Sequence, residues 1–332
     1  MSGGIFRVAG GAIIGLIVLV VLGRVALAPP QPETSAGYPE RPATIIAPYG
    51  AGGSSDTLAR ILAERLTDEL GGNFIVENRP GAGSRIGIET VARAKADGYT
   101  LLLADMPFAI VPNVYEGVGY APDEFVAIAQ LGLAPMVLFA RPDMENASIE
   151  TVVSLAAEPD AVAVGSGGIG ATTHMVAELF QAESGTSLLH VPFGGTAQSL
   201  QGLAGSQVDV AFGSYASGRS LAEAGGIQAI GATAPARIDI LPDVPTFKES
   251  GIDLEVYHWW GLLAPKGTPE DVIVTLRDTV ATVLADPSVK QRFDQLGVSP
   301  AELSPDAFQA FLTTESDRWG RIVEAADIEV RQ

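Results

Sequence analysis

Short apolar runs alternate with longer segments of helical periodicity along most of this chain, and that alternation restricts the fold more than any other feature. An apolar run over 43–47 ends in a glycine-rich loop, PYGAGGSSD, at 48–56. Behind the loop, Leu58, Ile61, Leu62, Leu66 and Leu70 recur at helical spacing, and Gly71-Gly72 closes the segment. Strands are expected at 74–76 and 100–104, with a helix over 85–96 between them. The order returns beyond Arg141, with strand 161–164, helix 172–184, strand 188–191, helix 197–205 and strands 208–212 and 228–232. Near Tyr257 the character changes, and terminal helices follow at about 269–285 and 305–326. Strands alternating with helices make a parallel sheet covered on both faces. The expected class is α/β with two lobes, each a mainly parallel sheet flanked by helices, and a ligand cleft between them.

Composition removes several function classes. The chain has 332 residues, 47% of them hydrophobic, which is enough for a sizeable core and more than a disordered chain carries. Twenty Lys and Arg face 39 Asp and Glu, a formal charge of -19, so nucleic acid is not an expected partner. There is no cysteine, hence no disulfide and no thiolate ligand or nucleophile. His174, His190 and His258 form no HxxxH pair, so neither a metal nor a cofactor is expected.

The N-terminus sets the address. From Val8 to Gly23 the chain runs uncharged for about sixteen residues, between the roughly twenty of a membrane-spanning helix and the seven to fifteen of a signal-peptide core. Arg7 and Arg24 bracket it, Ala26-Leu27-Ala28 resembles a cleavage site, and Pro29 follows directly. Export to the periplasm is expected, with residues 1–28 either a cleaved signal peptide or a retained membrane anchor. A Pro-rich linker occupies 29–42. Residues 43–139 and 257–332 are expected to form the first lobe and 140–256 the second.

Two loops carry chemistry. The first, with Tyr49, Gly52, Gly53, Ser54 and Asp56, lies between a strand and a helix. Glycines let a ligand reach backbone N–H groups, and the helix N-terminus adds orphan donors and a positive dipole end. Such a loop binds an anion without Lys or Arg. No Gly-Lys-Ser/Thr follows, so it is not a phosphate P-loop. Asp56 fits a helix cap better than direct ligand contact. The second loop offers Gly165, Ser166, Gly168, Thr172 and Thr173, ending at His174. Gly165, Gly167 and Gly170 match GxGxxG, but a dinucleotide site needs an acid about twenty residues on, and 189–192 reads LHVP. Anion capture is the better reading, with His174 a packed, hydrogen-bonded side chain. Neither loop contains GxSxG, and no catalytic constellation is marked.

The segments PYGAGGSSDTLAR, VENRPGAGSRIG, DGYTLLL, SGGIGATTH, HVPFGGTAQSL, GSQVDVAF, LPDVPTFKESG and WWGLLAPKGTP stand in this order. Together they resemble the Bug-type family, the extracytoplasmic solute receptors of tripartite tricarboxylate transporters, from about Pro42 to the C-terminus. The resemblance implies a periplasmic-binding-protein fold that closes on a small carboxylate. It also implies that loops 49–56 and 165–174 pinch one ligand carboxylate through N–H groups, hydroxyls and water. Its C-terminal helices should return to the first lobe, and its partners should be membrane permease subunits. A monomer is expected.

The chain departs from the family pattern twice. Asp105 and Met106 stand where a Gly/Ser/Thr-rich stretch is usual, and Phe193-Gly194-Gly195 where Tyr, a basic residue and Gly often follow VP. An acid stands in the first place and a basic side chain is missing from the second, so citrate is disfavoured. With Met106, Phe108 and Phe193 nearby, the expected ligand is a monocarboxylate bearing a hydrogen-bond donor or cationic group, such as an amino acid or a hydroxylated or aromatic acid. Alternatively Asp105 caps a turn. A sensor receptor with the same grip is the runner-up function, and an exported hydrolase the third.

Overall fold

A computed structural model describes residues 37–301 and 303–325. The expected signal peptide or anchor, and the linker up to residue 36, lie outside the described residues. Among the described residues no helix is long and apolar enough to cross a membrane.

The first lobe begins with β1 (Ala43–Ala47), α1 (Ser54–Leu70), β2 (Phe74–Asn78), α2 (Arg85–Ala92) and β3 (Thr100–Asp105). β1 pairs parallel with β2 and β3, and the helices make the crossovers. The leucine stripe of α1 is buried at Leu58, Leu62 and Leu66. Its end is set by Gly71, whose left-handed φ of 67° lets its N–H reach the Thr67 carbonyl at 3.1 Å. α3 (Pro107–Val114) follows β3 after one residue.

The next element is β4 (Phe125–Ala140), a 16-residue strand that matches no expected element. Both of its faces are covered, so it shows neither alternation nor helical periodicity. The second lobe runs through α4 (Ile149–Leu155), β5 (Ala163–Ser166), α5 (Thr172–Ser184), β6 (Leu189–Pro192), α6 (Thr196–Ala204), β7 (Val210–Ser214), α7 (Tyr215–Glu223) and β8 (Gln228–Ala232). β5 is parallel to β6 and β7. The chain returns through β9 (Tyr257–Pro265), α8 (Glu270–Ala285), α9 (Pro287–Asp294), β10 (Ser299–Pro300) and α10 (Pro305–Ala325).

β4 serves both lobes. Its residues up to Pro135 pair antiparallel with β9, and Met136 to Ala140 pair antiparallel with β7 and β8. The parallel strands expected from the alternation are present, but a long antiparallel pair joins them. Thr233 ties the crossing together: its hydroxyl accepts from the Met136 N–H at 2.8 Å and donates to the Val256 carbonyl. α10 lies on β4 and α3, burying Phe308 and Trp319 completely. Each such ring is worth roughly 1.5–3 kcal/mol. Its seat is prepared by Gly261, where a Cβ would lie 2.2 Å from the Phe308 ring.

Candidate functional site

One cavity of about 740 Å³ opens where the two lobes meet. Four of the helices that begin on its wall have an N-cap residue on the lining without a side-chain cap. α1 starts after Gly53, α2 after Ser84, α5 after Ala171 and α6 after Gly195. The first turn of any helix leaves N–H groups without intrahelical partners. Here such groups, apart from the Arg85 N–H that donates to the Ala82 carbonyl, and the positive dipole ends meet at the cavity from both lobes, while the lining holds no Lys or Arg among the described residues. Each end favours an anion by about 0.3–1 kcal/mol when exposed and up to about 2 kcal/mol when partly buried. Short-range dipoles of this kind prevail over a distant net negative charge screened within about 8–10 Å.

The first loop is held in place by Asp56. This side chain is 4% exposed and does not line the cavity. It accepts from the Gly52 N–H at 2.9 Å and from Asn78 at 2.8 Å, and it pairs with Arg60. Burial alone would raise its pKa, but the bonds from Arg60, Gly52 and Asn78 hold it below the usual carboxylate range. Asp56 thus shapes the loop that its neighbours Tyr49, Gly52, Gly53 and Ser54 present to the cavity.

The second loop has a similar internal frame. Thr173 accepts from the Gly167 N–H at 2.8 Å, and Ser166 from the Gly168 N–H at 3.1 Å. Ser166 is fully buried and contacts His190 Nε2 at 2.6 Å. The His190 ring stacks on His174 at 3.9 Å, and burial together with that neighbour depresses its pKa to about 4. His174 Nδ1 accepts from the Gly170 N–H at 3.1 Å, which puts its proton on Nε2, toward Glu178. His174 is therefore the packed, bonded histidine expected of it.

Gly168, Thr172, Thr173, Phe193 and Gly194 line the cavity, whereas Gly165 and Ser166 lie behind it. A Cβ at Gly165 would stand 2.7 Å from Ser199 Oγ, so that glycine serves packing. One hydroxyl on the wall, Thr172 Oγ1, is buried without a hydrogen bond, whereas Ser84 Oγ lies against the Tyr49 phenol. A buried hydroxyl without a partner costs about 1–3 kcal/mol, which a ligand oxygen would recover.

The distal wall differs from expectation. Met106 and Phe108 are fully buried in the core, Phe108 against Tyr120 and Phe125, and neither reaches the lining. The reason is that α3 starts one residue after Asp105 and turns both side chains inward. The Phe193 ring packs on Gly202, where a Cβ would stand 2.6 Å away. Asp105 does line the cavity, at 2% exposure, but its carboxylate is already engaged. Tyr49 donates to Oδ1, Ser55 donates to Oδ2 at 2.9 Å, and His258 Nε2 lies 3.3 Å from Oδ2. Burial and the adjacent carboxylate push the Tyr49 phenol well above its ordinary pKa.

The wall also contains residues that sequence reasoning does not single out: Gly81 to Ser84, Tyr115, Thr196, Gln198, Ser214, Ser217 and His258. Gly81 to Ser84 stand inside VENRPGAGSRIG, and Thr196 and Gln198 inside HVPFGGTAQSL, so glycines beside hydroxyl and amide residues are a usable signal. His258 has none, since it reaches Asp105 across 153 residues of chain.

Known proteins share this architecture. The family described as the tripartite tricarboxylate transporter family receptor matches residues 58–328. The structure of the periplasmic binding protein BugD superposes with a TM-score of 0.82 at 35% identity, covering 89% of this chain and 100% of that one. A Rhodopseudomonas palustris protein solved with adipate gives 0.84 at 30% identity, covering 88% and 99%. MatC from the same organism, with bound malate, gives 0.80 at 29% identity, covering 86% and 100%. The chain belongs to the tripartite tricarboxylate transporter receptor family of two-lobed periplasmic solute-binding proteins.

Proposed function

We propose that this protein captures a small organic acid outside the cytoplasm and presents it to the permease subunits of a tripartite transporter. The observation that carries the reading is the meeting of four helix N-termini without side-chain caps, from two lobes, on one cavity whose lining has no Lys or Arg among the described residues. Such a site suits one carboxylate gripped from both sides. The adipate and malate bound to the two structural neighbours support an organic acid here as well. The gripping groups are Tyr49, Gly52, Gly53, Ser54, Ser84, Gly168, Thr172, Thr173 and Gly194, with Asp56 and Ser166 shaping the loops behind them.

We take the lobes as 43–139 with 257–332, and 140–256; among the described residues the change of partner strand along β4 falls near that division, at Pro135–Met136. The N-terminal apolar segment directs export, as a signal peptide or as an anchor, and the receptor acts as a monomer without a cofactor. Catalysis forms no part of this reading. The Ser166–His190 contact has the composition of a nucleophile and base, but Ser166 is fully buried, accepts the Gly168 N–H and lies behind the cavity wall.

A thermal-shift screen of the soluble part against organic acids, amino acids and aromatic carboxylates tests the proposal. A ligand at a hundred times its Kd should stabilise the fold by about 2.7 kcal/mol. Shifts with sugars or metals and none with any carboxylate would overturn it.

A further inference from the structure

The floor of the cavity holds a second feature, distinct from the helix ends. His258 and Asp105 form an ionisable pair on the lining, and the imidazole is fixed from several directions. Its Nε2 faces the Asp105 carboxylate at 3.3 Å. Its ring lies 4.4 Å from that of Trp260, whose indole N–H donates to Ser55 Oγ at 2.9 Å. Ser55 in turn donates to Asp105, as does Tyr49. Side chains from three parts of the sequence therefore hold one carboxylate and one imidazole in place.

A carboxylate accepts and cannot donate, so in the neutral ring the His258 proton belongs on Nε2, which leaves Nδ1 with a lone pair. Nδ1 makes no hydrogen bond among the described residues, and it is not one of the buried unpartnered atoms. With Nε2 turned to Asp105, Nδ1 is the ring nitrogen left open on this cavity-lining residue. Asp105, with three donors already on its oxygens, has little capacity left for a ligand of its own. Its negative charge, set behind the ring, favours a hydrogen-bond donor at Nδ1 and opposes a second carboxylate there.

We propose that His258, oriented by Asp105, is the specificity-determining residue of this receptor, and that its Nδ1 accepts a hydrogen bond from a hydroxyl or ammonium group of the bound acid. This rests on the carboxylate-capture reading above and narrows the ligand to hydroxy or amino acids. Asp105 is a positioning residue: it sets the tautomer and the ring plane and acts through His258.

The test measures affinities by titration calorimetry for matched acids that differ by one donor: malate and succinate, lactate and propionate, glutamate and glutarate, 4-hydroxybenzoate and benzoate. At least one donor-bearing acid should bind wild type tenfold or more tighter than its partner. His258→Gln keeps a donor toward Asp105 but removes the acceptor at Nδ1, and should shrink that gap below threefold. His258→Asn places an oxygen near the Nδ1 position and should keep part of it. Asp105→Asn should also shrink the gap, through loss of orientation. Melting curves establish that each variant is folded, and two independent variants cover the failure of one. If wild type binds carboxylates with no gap, or the gap survives in folded His258→Gln, this inference falls and carboxylate capture stands. If wild type binds no carboxylate, both fall.

Discussion

Tyr115, just past the end of α3, donates its hydroxyl to the carbonyl of Ile169, 3.1 Å away in the second-lobe loop. The contact spans the cleft and closes on the segment that presents Gly168 and Thr172. A neutral hydrogen bond of this kind is worth about 0.5–1.5 kcal/mol, so Tyr115→Phe is expected to speed ligand release by roughly two- to tenfold. Stopped-flow displacement of a bound acid measures it. Unchanged release would mean that the bridge is not part of ligand retention.

Gly52 and Gly168 have φ of 90° and 120°, conformations that L side chains rarely adopt. Gly52→Ala meets no neighbouring atom, whereas a Cβ at Gly168 would lie 3.3 Å from the Phe193 carbonyl. Each substitution should cost about 1–3 kcal/mol of strain, and affinity should drop tenfold or more as the loop relaxes away from the ligand. Calorimetric titration alongside a melting curve separates the two effects. Normal affinity in both variants would place the ligand elsewhere.

Asp56→Ala removes the partner of the Gly52 N–H, of Asn78 and of Arg60 together. Charge-assisted bonds contribute about 1.5–3 kcal/mol each, with strong coupling among them, so a loss of about 2–4 kcal/mol is expected by urea denaturation. Asp56→Asn should recover part of it. A loss within about 0.5 kcal/mol, the ordinary range for surface changes, would deny Asp56 its shaping role.

His190 has a pKa depressed to about 4 from the ordinary 6.5, by burial and then by the stacked His174, with Glu178 opposing. Between these values the unfolded chain takes a proton that the folded chain refuses. The stability contribution is whole above about pH 6.5 and declines as pH falls toward 4. The melting temperature of wild type should therefore fall more steeply from about pH 6.5 to 5 than that of His190→Gln. Parallel slopes would show that His190 titrates as in the unfolded chain.

Local features are legible in the sequence, and long-range ones are not. The leucine stripe of α1, the glycines before it and the loop preceding Thr172 announce themselves within a few residues, because helix spacing and loop chemistry are local. β4 escapes that logic, since a strand covered on both faces has no polar period to read. Asp105 shows the other limit. As a residue type it suggests direct contact with the ligand, yet Tyr49, Ser55 and His258, at separations of 56, 50 and 153 residues, occupy its oxygens. Met106 and Phe108 leave the expected wall for a related reason: the immediate start of α3, not their hydrophobicity, decides which side of the sheet they face.

The single strand β4 has a consequence for how the molecule comes apart. Its first part cannot leave β9 without disturbing Met136 to Ala140 between β7 and β8, and Thr233 clamps the returning chain to the same point. One hydrophobic core also draws on Ile88 and Phe108 from one lobe and on Val176 and Phe212 from the other. Neither half therefore owns a complete set of contacts. The protein should denature in one cooperative transition, and a fragment cut at the crossing should not acquire native structure alone.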